Sequence, residues 1–145
     1  MSSLQRSWDL KRVYLVIGAF EITGFGPDDA MSISPESDKI EHEAGADGEV
    51  TASRSNDRRH VVTINVMQTG AGFRDLAALS KSQDDADSIE PLAFMIRDLN
   101  TGTVVKSRYA TFLNNPEIGF GKAAASIEFR IMLPSPDIEI GSSIV

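Results

Sequence analysis

The sequence has no cysteine. That excludes a disulfide scaffold and any thiolate metal site, and it fits synthesis in a reducing compartment. It also lacks a long apolar run. The longest, from Val13 to Phe20, is far too short to cross a bilayer, so no membrane anchor is expected. Met1 to Leu10 has no apolar stretch of the kind that marks a secretory leader. Histidine is scarce as well. His42 and His60 are the only two, and a histidine-based zinc or iron site needs two or three converging with carboxylates. Glu41 and Glu43 flank His42 on an extended segment, so their side chains point away from it. Basic residues are outnumbered. The net charge of −7 argues against a protein that grips nucleic acid, and an acidic surface repels phosphate.

Motifs with catalytic or cofactor chemistry are equally thin. Gly119-Phe120-Gly121-Lys122-Ala123 has a faint phosphate-loop look. Pro116 stands where the first glycine belongs, and Ala123 replaces the hydroxyl residue that would meet magnesium. Gly70-Ala71-Gly72 lacks a third glycine and a βαβ setting. Asp84, Asp85 and Asp87 lack the central glycine and closing glutamate of a calcium loop. Asp28 and Asp29 follow Pro27 in a turn, where aspartate is ordinary. No enzyme, metal or cofactor is expected.

What is present is a chain of 145 residues, one domain's worth, long enough to bury roughly 68–70% of its unfolded surface. Alternation marks the strands. Val13, Leu15 and Ile17 alternate with Tyr14 and Val16; short strands follow at Phe20–Thr23 and Met31–Ser34. Val61 to Met67 is the clearest strand, with Val62, Ile64 and Val66 on one face. Phe73 to Ser82 reads as the one convincing helix, its stripe including Leu76 and Leu79, and the acidic stretch Gln83–Ser88 reads as a linker. Leu92, Phe94 and Ile96 begin a hairpin that turns at Asp98–Gly102 and returns from Thr103 to Phe112. In it Val105, Tyr109 and Thr111 are expected on the face opposite Lys106, Arg108 and Ala110. Ile127, Phe129, Ile131 and Leu133 mark the last long strand, and Asp137–Ile140 adds a short edge strand. Many short strands with one short α-helix predict a mainly β fold, a small β-sandwich or barrel with the helix plugging one open end.

Between Glu36 and Arg59 lies a polar arm. Ile40–Ala44 and Glu49–Ser53 can pair across the turn Gly45-Ala46-Asp47-Gly48, with Asp-Gly as the hairpin signal. An isolated hairpin with so little apolar surface is marginal in water. Two readings stand: a floppy surface loop, or a segment that gains order on another subunit. Trp8, the lone tryptophan, either anchors the loose N-terminal tail to a neighbour or tucks onto its own domain.

An ordered set of these turns and strands resembles the tail tube proteins of contractile-tailed bacteriophages. It comprises Ile22-Thr23-Gly24-Phe25, Asp28-Asp29-Ala30, Ile33-Ser34-Pro35-Glu36, Gly45-Ala46-Asp47-Gly48-Glu49-Val50, Ser55-Asn56-Asp57, Met67-Gln68-Thr69 and Ile96-Arg97-Asp98-Leu99-Asn100 before Gly102. The resemblance implies a single domain over residues 1–145 with a protruding arm at about 36–60. It implies six-membered rings that stack into a hollow tube, joined as one inner barrel, through which DNA passes without specific binding. Implied partners are further copies, the tail sheath, and the baseplate, initiator and terminator proteins. The implied location is the virion tail, assembled in the host cytoplasm. Related tubes serve phage-like bacteriocins and injection systems.

On this reading the arm makes inter-subunit and inter-ring contacts through Ile40, Glu41, His42, Glu43, Gly45, Asp47, Gly48, Glu49, Val50, Arg54, Asn56, Asp57, Arg58 and Arg59. Val62, Ile64, Val66, Leu76, Leu79, Phe94, Ile96, Phe129, Ile131 and Leu133 form the monomer core. The rival readings are a stand-alone β-sandwich binding module, for example for carbohydrate, and a metal-dependent β-barrel enzyme.

Overall fold

The structure is a computed structural model that describes residues 7–26 and 30–141. Residues 1–6, 27–29 and 142–145 lie outside the described residues, as do the expectations placed on them.

Asp9 caps a short 3-10 turn, Leu10–Arg12, accepting from the Lys11 N–H at 2.9 Å. The strands follow as β1 (Val13–Ile17), β2 (Phe20–Ile22), β3 (Met31–Pro35), β4 (Ile40–Ala44), β5 (Val50–Arg54) and β6 (His60–Met67). Helix α1 (Ala71–Asp85) precedes β7 (Leu92–Asp98), β8 (Thr103–Phe112), β9 (Ser126–Leu133) and β10 (Asp137–Glu139). Eight strands form one antiparallel sheet, in the order β2-β1-β7-β8-β9-β6-β3 with β10 beside β8; β4 and β5 pair only with each other. The sheet curls. On leaving β2 the chain passes from β1 to β6, where Phe25 bridges Val66 and the Gly26 N–H donates to the Asn65 carbonyl at 2.9 Å. That crossing joins the two ends of the strand order, and the result is the mainly β, barrel-like fold with one helix that the alternation predicted.

Alternation explains what the barrel encloses. β6 and β9 pair in register, and Val62, Ile64, Val66, Ile127, Phe129, Ile131 and Leu133 all turn inward and are fully buried. Leu15, Ile17, Ile22, Phe94, Leu76 and Leu79 complete the core, and Ile96 packs against it while partly exposed. Phe129 sits at its centre, with Phe73 of the helix at 6.3 Å and Phe112 of β8 edge-on at 6.0 Å. Edge-to-face rings at this spacing are worth about 0.5–1.5 kcal/mol beyond burial.

Three local expectations are corrected. The helix runs from Ala71 to Asp85, so Gln83, Asp84 and Asp85 are helical rather than a linker. The Gln83 carboxamide holds this end: it donates to the Glu90 and Ala110 carbonyls and accepts from the Phe112 N–H at 3.0 Å. It stands where a neighbouring strand's peptide group would be. Secondly, the β8 alternation breaks. Phe94 opposes Ser107 but Leu92 opposes Ala110, so β8 carries one extra residue there. A bulge flips every later side chain to the other face. Val105 and Ala110 are therefore both buried, and Tyr109 is 57% exposed. Opposite the bulge, the Pro134–Pro136 stretch separates β9 from β10, and prolines have no N–H to offer a ladder. Thirdly, the N-terminal stretch is tied down at Asp9, whose N–H and carbonyl bond the Asn100 carboxamide at 3.1 and 2.9 Å.

The glycines at 70 and 72 have a packing role. A side chain on Gly72 would run into the Thr23 carbonyl oxygen, and Gly70 lies against the Gly24 backbone. Helix and β2 exit thus cross at backbone contact, which only glycine permits.

Candidate assembly surfaces

The arm is a two-stranded hairpin in the single chain. Its register pairs Ile40 with Arg54, His42 with Ala52 and Ala44 with Val50. At the tip the Gly48 N–H reaches the Gly45 carbonyl at 3.0 Å, the Gly45 N–H reaches the Glu49 carbonyl at 2.7 Å, and Gly48 takes a φ of 88°. Asp47 accepts from the Glu49 N–H, closing a turn that suits Asp-Gly. The period of two then sorts the side chains. Ile40, His42, Ala44, Val50, Ala52 and Arg54 share one face; Glu41, Glu43, Thr51 and Ser53 share the other. Every residue of both strands is exposed, Val50 by 59%. The arm's few apolar groups thus form one exposed stripe, uncovered by any of the described residues.

The arm's root is fixed by charge. Asp57 is partly buried and accepts from the Ser37 hydroxyl at 2.7 Å and from two Arg59 nitrogens at 2.9 and 2.8 Å. The Arg59 hydrogen bonds, backed by Ser37, hold its carboxyl well below the usual range, and Asp57 in turn raises the Arg59 guanidinium. Backbone bonds Glu36 to Arg59 and Ser55 to Lys39 close the neck, both at 3.0 Å. Asn56 and Arg58 are exposed, and the Arg58 carbonyl meets the His60 ring at 2.9 Å.

Two outer faces of the barrel differ in chemistry. On β6 and β9, Thr63 pairs with Arg130 and Asn65 with Glu128, a polar centre with its charges balanced, flanked by the Val61–Met132 and Met67–Ser126 pairs. On β1, β2 and β7 the outward side chains are Tyr14, Val16, Glu21, Met95 and Arg97, an apolar-leaning face. Large apolar groups also stand free at the barrel's ends: Trp8 is 63% exposed, Ile89 80% and Phe120 91%.

Side-chain amides that alternation could not flag hold the connections. Gln68 donates to the Gly119 carbonyl at 3.1 Å and accepts from the Ala125 N–H at 3.3 Å. Asn114 accepts from the Arg130 N–H at 2.8 Å, in place of the strand that leaves β9 there. In the β7–β8 turn, burial pushes the Asp98 carboxyl up. Hydrogen bonds from the Thr101 hydroxyl and from the Asn100 N–H and carboxamide outweigh this and hold it below the usual range. Among the described residues no group of three or more His, Asp or Glu side chains is placed to hold a metal. His42 lies on the opposite face of the arm from Glu41 and Glu43.

A small, mainly β barrel with one helix and an external hairpin is the class of fold that these elements define. Comparison gives the particular family. Residues 16–141 match the model of the bacteriophage PhiTE tail tube protein, and the chain belongs to that family. No curated protein matches it. Among solved structures it is similar to the sheath/tube terminator of an extracellular contractile injection system, PVC, in the extended state (TM-score 0.63, 12% identity, 94% of this chain and 99% of that one). It is similar to the tube-terminating cap of the anti-feeding prophage (0.58, 12%, 97% and 95%) and to a chain of the PVC sheath–tube complex (0.61, 12%, 97% and 99%). At such identity these likenesses establish a shared fold.

Proposed function

We propose that this chain is the repeating subunit of a phage tail tube. It self-assembles into stacked hexameric rings that form a hollow conduit for DNA during ejection. The observation that carries this is the family match over residues 16–141. The work is structural rather than catalytic. Partners are further copies, then the sheath, baseplate or initiator and terminator proteins, within a virion tail assembled in the host cytoplasm.

The surface chemistry supports the reading. The polar centre of the β6–β9 face, with Thr63, Asn65, Glu128 and Arg130, suits a water-filled lumen. On a chain of net charge −7 such a lumen gives DNA nothing to adhere to. The apolar stripe of the arm suits burial on a neighbouring subunit or ring, with Ile40 and Val50 as the contact groups and His42, Arg54, Arg58 and Glu49 around them. Joining sheets between subunits removes exposed strand edges.

A second reading is favoured by two of the similar structures, a tube terminator and a tube-terminating cap. In it the chain ends a tube instead of extending it. Negative-stain electron microscopy of the concentrated purified protein separates the two. Long hollow tubes with six-fold end views are expected for the repeating subunit. Rings that never stack would point to the terminator, and a persistent monomer at high concentration would sink both.

A further inference from the structure

We propose that the Phe120 loop of one copy seats in an apolar cleft at the opposite end of the next copy, as a knob into a hole; this contact rests on the tube reading above. The cleft, about 460 Å³, lies between β3 and the turn end of the β7–β8 hairpin. Trp8, Val13, Met31, Ile33, Ile96 and Val105 supply its apolar lining, and Thr103 stands at the beginning of β8 beside it. Its volume is ample for a benzyl group.

The knob is the most exposed large apolar side chain among the described residues, Phe120 at 91%. Gly119 and Gly121 flank it with open space around both. The loop that presents it is anchored, because Gln68 bonds the Gly119 carbonyl and the Ala125 N–H. A pinned loop loses little entropy when its tip is buried, which favours a stable contact.

Topology sets the geometry. β8 starts at the cleft with Thr103 and ends at Phe112, where the Phe120 loop begins, and the Gly119 anchor, Gln68, follows Met67, which pairs with Ser126 at that same end. Ten residues of strand separate the two ends by about 30 Å. Hole and knob therefore sit at opposite ends of one strand. A patch at one end complementary to a patch at the other makes a head-to-tail contact that repeats from copy to copy. A self-complementary two-fold contact would instead bring like patches together.

The absence of native cysteine allows a clean test. Thr103→Cys and Gly121→Cys, the latter beside an intact Phe120 at a position with open space for a side chain, are made as separate variants, one carrying a mass tag. They are mixed, concentrated to assemble, and treated with a short bis-maleimide, with electron microscopy on the same sample. Knob-to-cleft heterodimers are expected to dominate. Tubes with no cross-link, or with only 121–121 or 103–103 links, would overturn the contact and leave the tube reading standing. Heterodimers without tubes would keep the contact and overturn the tube. Neither product would overturn both. In parallel, Phe120→Ala should raise the concentration needed for assembly by about tenfold or more, as expected for losing one buried aromatic. An unchanged assembly concentration, with the same melting temperature as the parent, would also sink the contact.

Discussion

The arm and the β6–β9 pair are both antiparallel ladders in unbroken register, and they differ in what their side chains meet. On β9 every second residue, from Ile127 to Leu133, is buried; on β4 and β5 none is. Hydrogen bonding across the strands is therefore not what separates core from arm. Burial is, at about 25 cal/mol per Å² of apolar surface removed from water. In the β6–β9 pair the barrel supplies that burial. In the arm the chain supplies none, so shape is kept by the Asp-Gly tip and the Asp57 clamp while the apolar stripe stays available.

The sharpest way to break the comparison is to make like substitutions in both regions. Ile64→Ala, Ile131→Ala or Leu133→Ala should each cost about 2–5 kcal/mol, because each leaves a cavity in a packed core. Val50→Ala on the arm should leave the subunit within about 0.5 kcal/mol of the parent. Urea unfolding measures both. Equal losses at Ile64 and Val50 would mean that the arm is packed in solution and that its stripe is already covered.

Gly72→Ala tests the helix–β2 crossing. The added methyl meets the Thr23 carbonyl, which belongs to the backbone and has little room to yield. A loss of about 1–3 kcal/mol or more is expected, against the ordinary helix preference for alanine over glycine. A stabilised Gly72→Ala protein would show that the crossing is looser than this contact.

These residues also mark where the sequence could be read and where it could not. Period-two alternation carries β6, β7 and β9, because each of those strands has one buried face. The arm's hairpin follows from Gly45-Ala46-Asp47-Gly48, a local turn chemistry. The β8 bulge is a different matter. It depends on pairing with Leu92 and Phe94 and on the proline break in the strand beyond, none of which is local to Arg108 and Tyr109. Gly70 and Gly72 look like a weak helix start until Thr23 and Gly24 are known to cross there. Gln83 reads as linker because its partners lie on β8 and before β7. Of the candidate surfaces, the arm's position and polarity were legible. Its apolar stripe was not, because it follows from a register that a shift of one residue would reverse.

Gln83→Leu tests that amide. It keeps the helix preference and removes the partners of the Phe112 N–H and the Ala110 carbonyl. The expected loss is about 1–3 kcal/mol. Faster hydrogen exchange at Phe112 should accompany it. An unchanged exchange rate would mean that water or another group already holds that N–H.

The smallest effect is expected at the arm's root, and pH gives its sign. Asp57 has its carboxyl lowered by Arg59 and Ser37, so its contribution is present above the unfolded-state value, near 3.9 for aspartate. It is lost only as pH falls through the lower folded value. The clamp should thus hold from neutral pH down through 4 and release in stronger acid. Asp57→Asn keeps the shape but loses the charge on Arg59's partner, and should loosen the neck at neutral pH without changing the barrel's melting. Carboxyl chemical shifts through an acid titration, together with amide exchange in β4 and β5, measure both. If Asp57 titrates at the ordinary aspartate position, the clamp is absent in solution, and the tip alone maintains the arm.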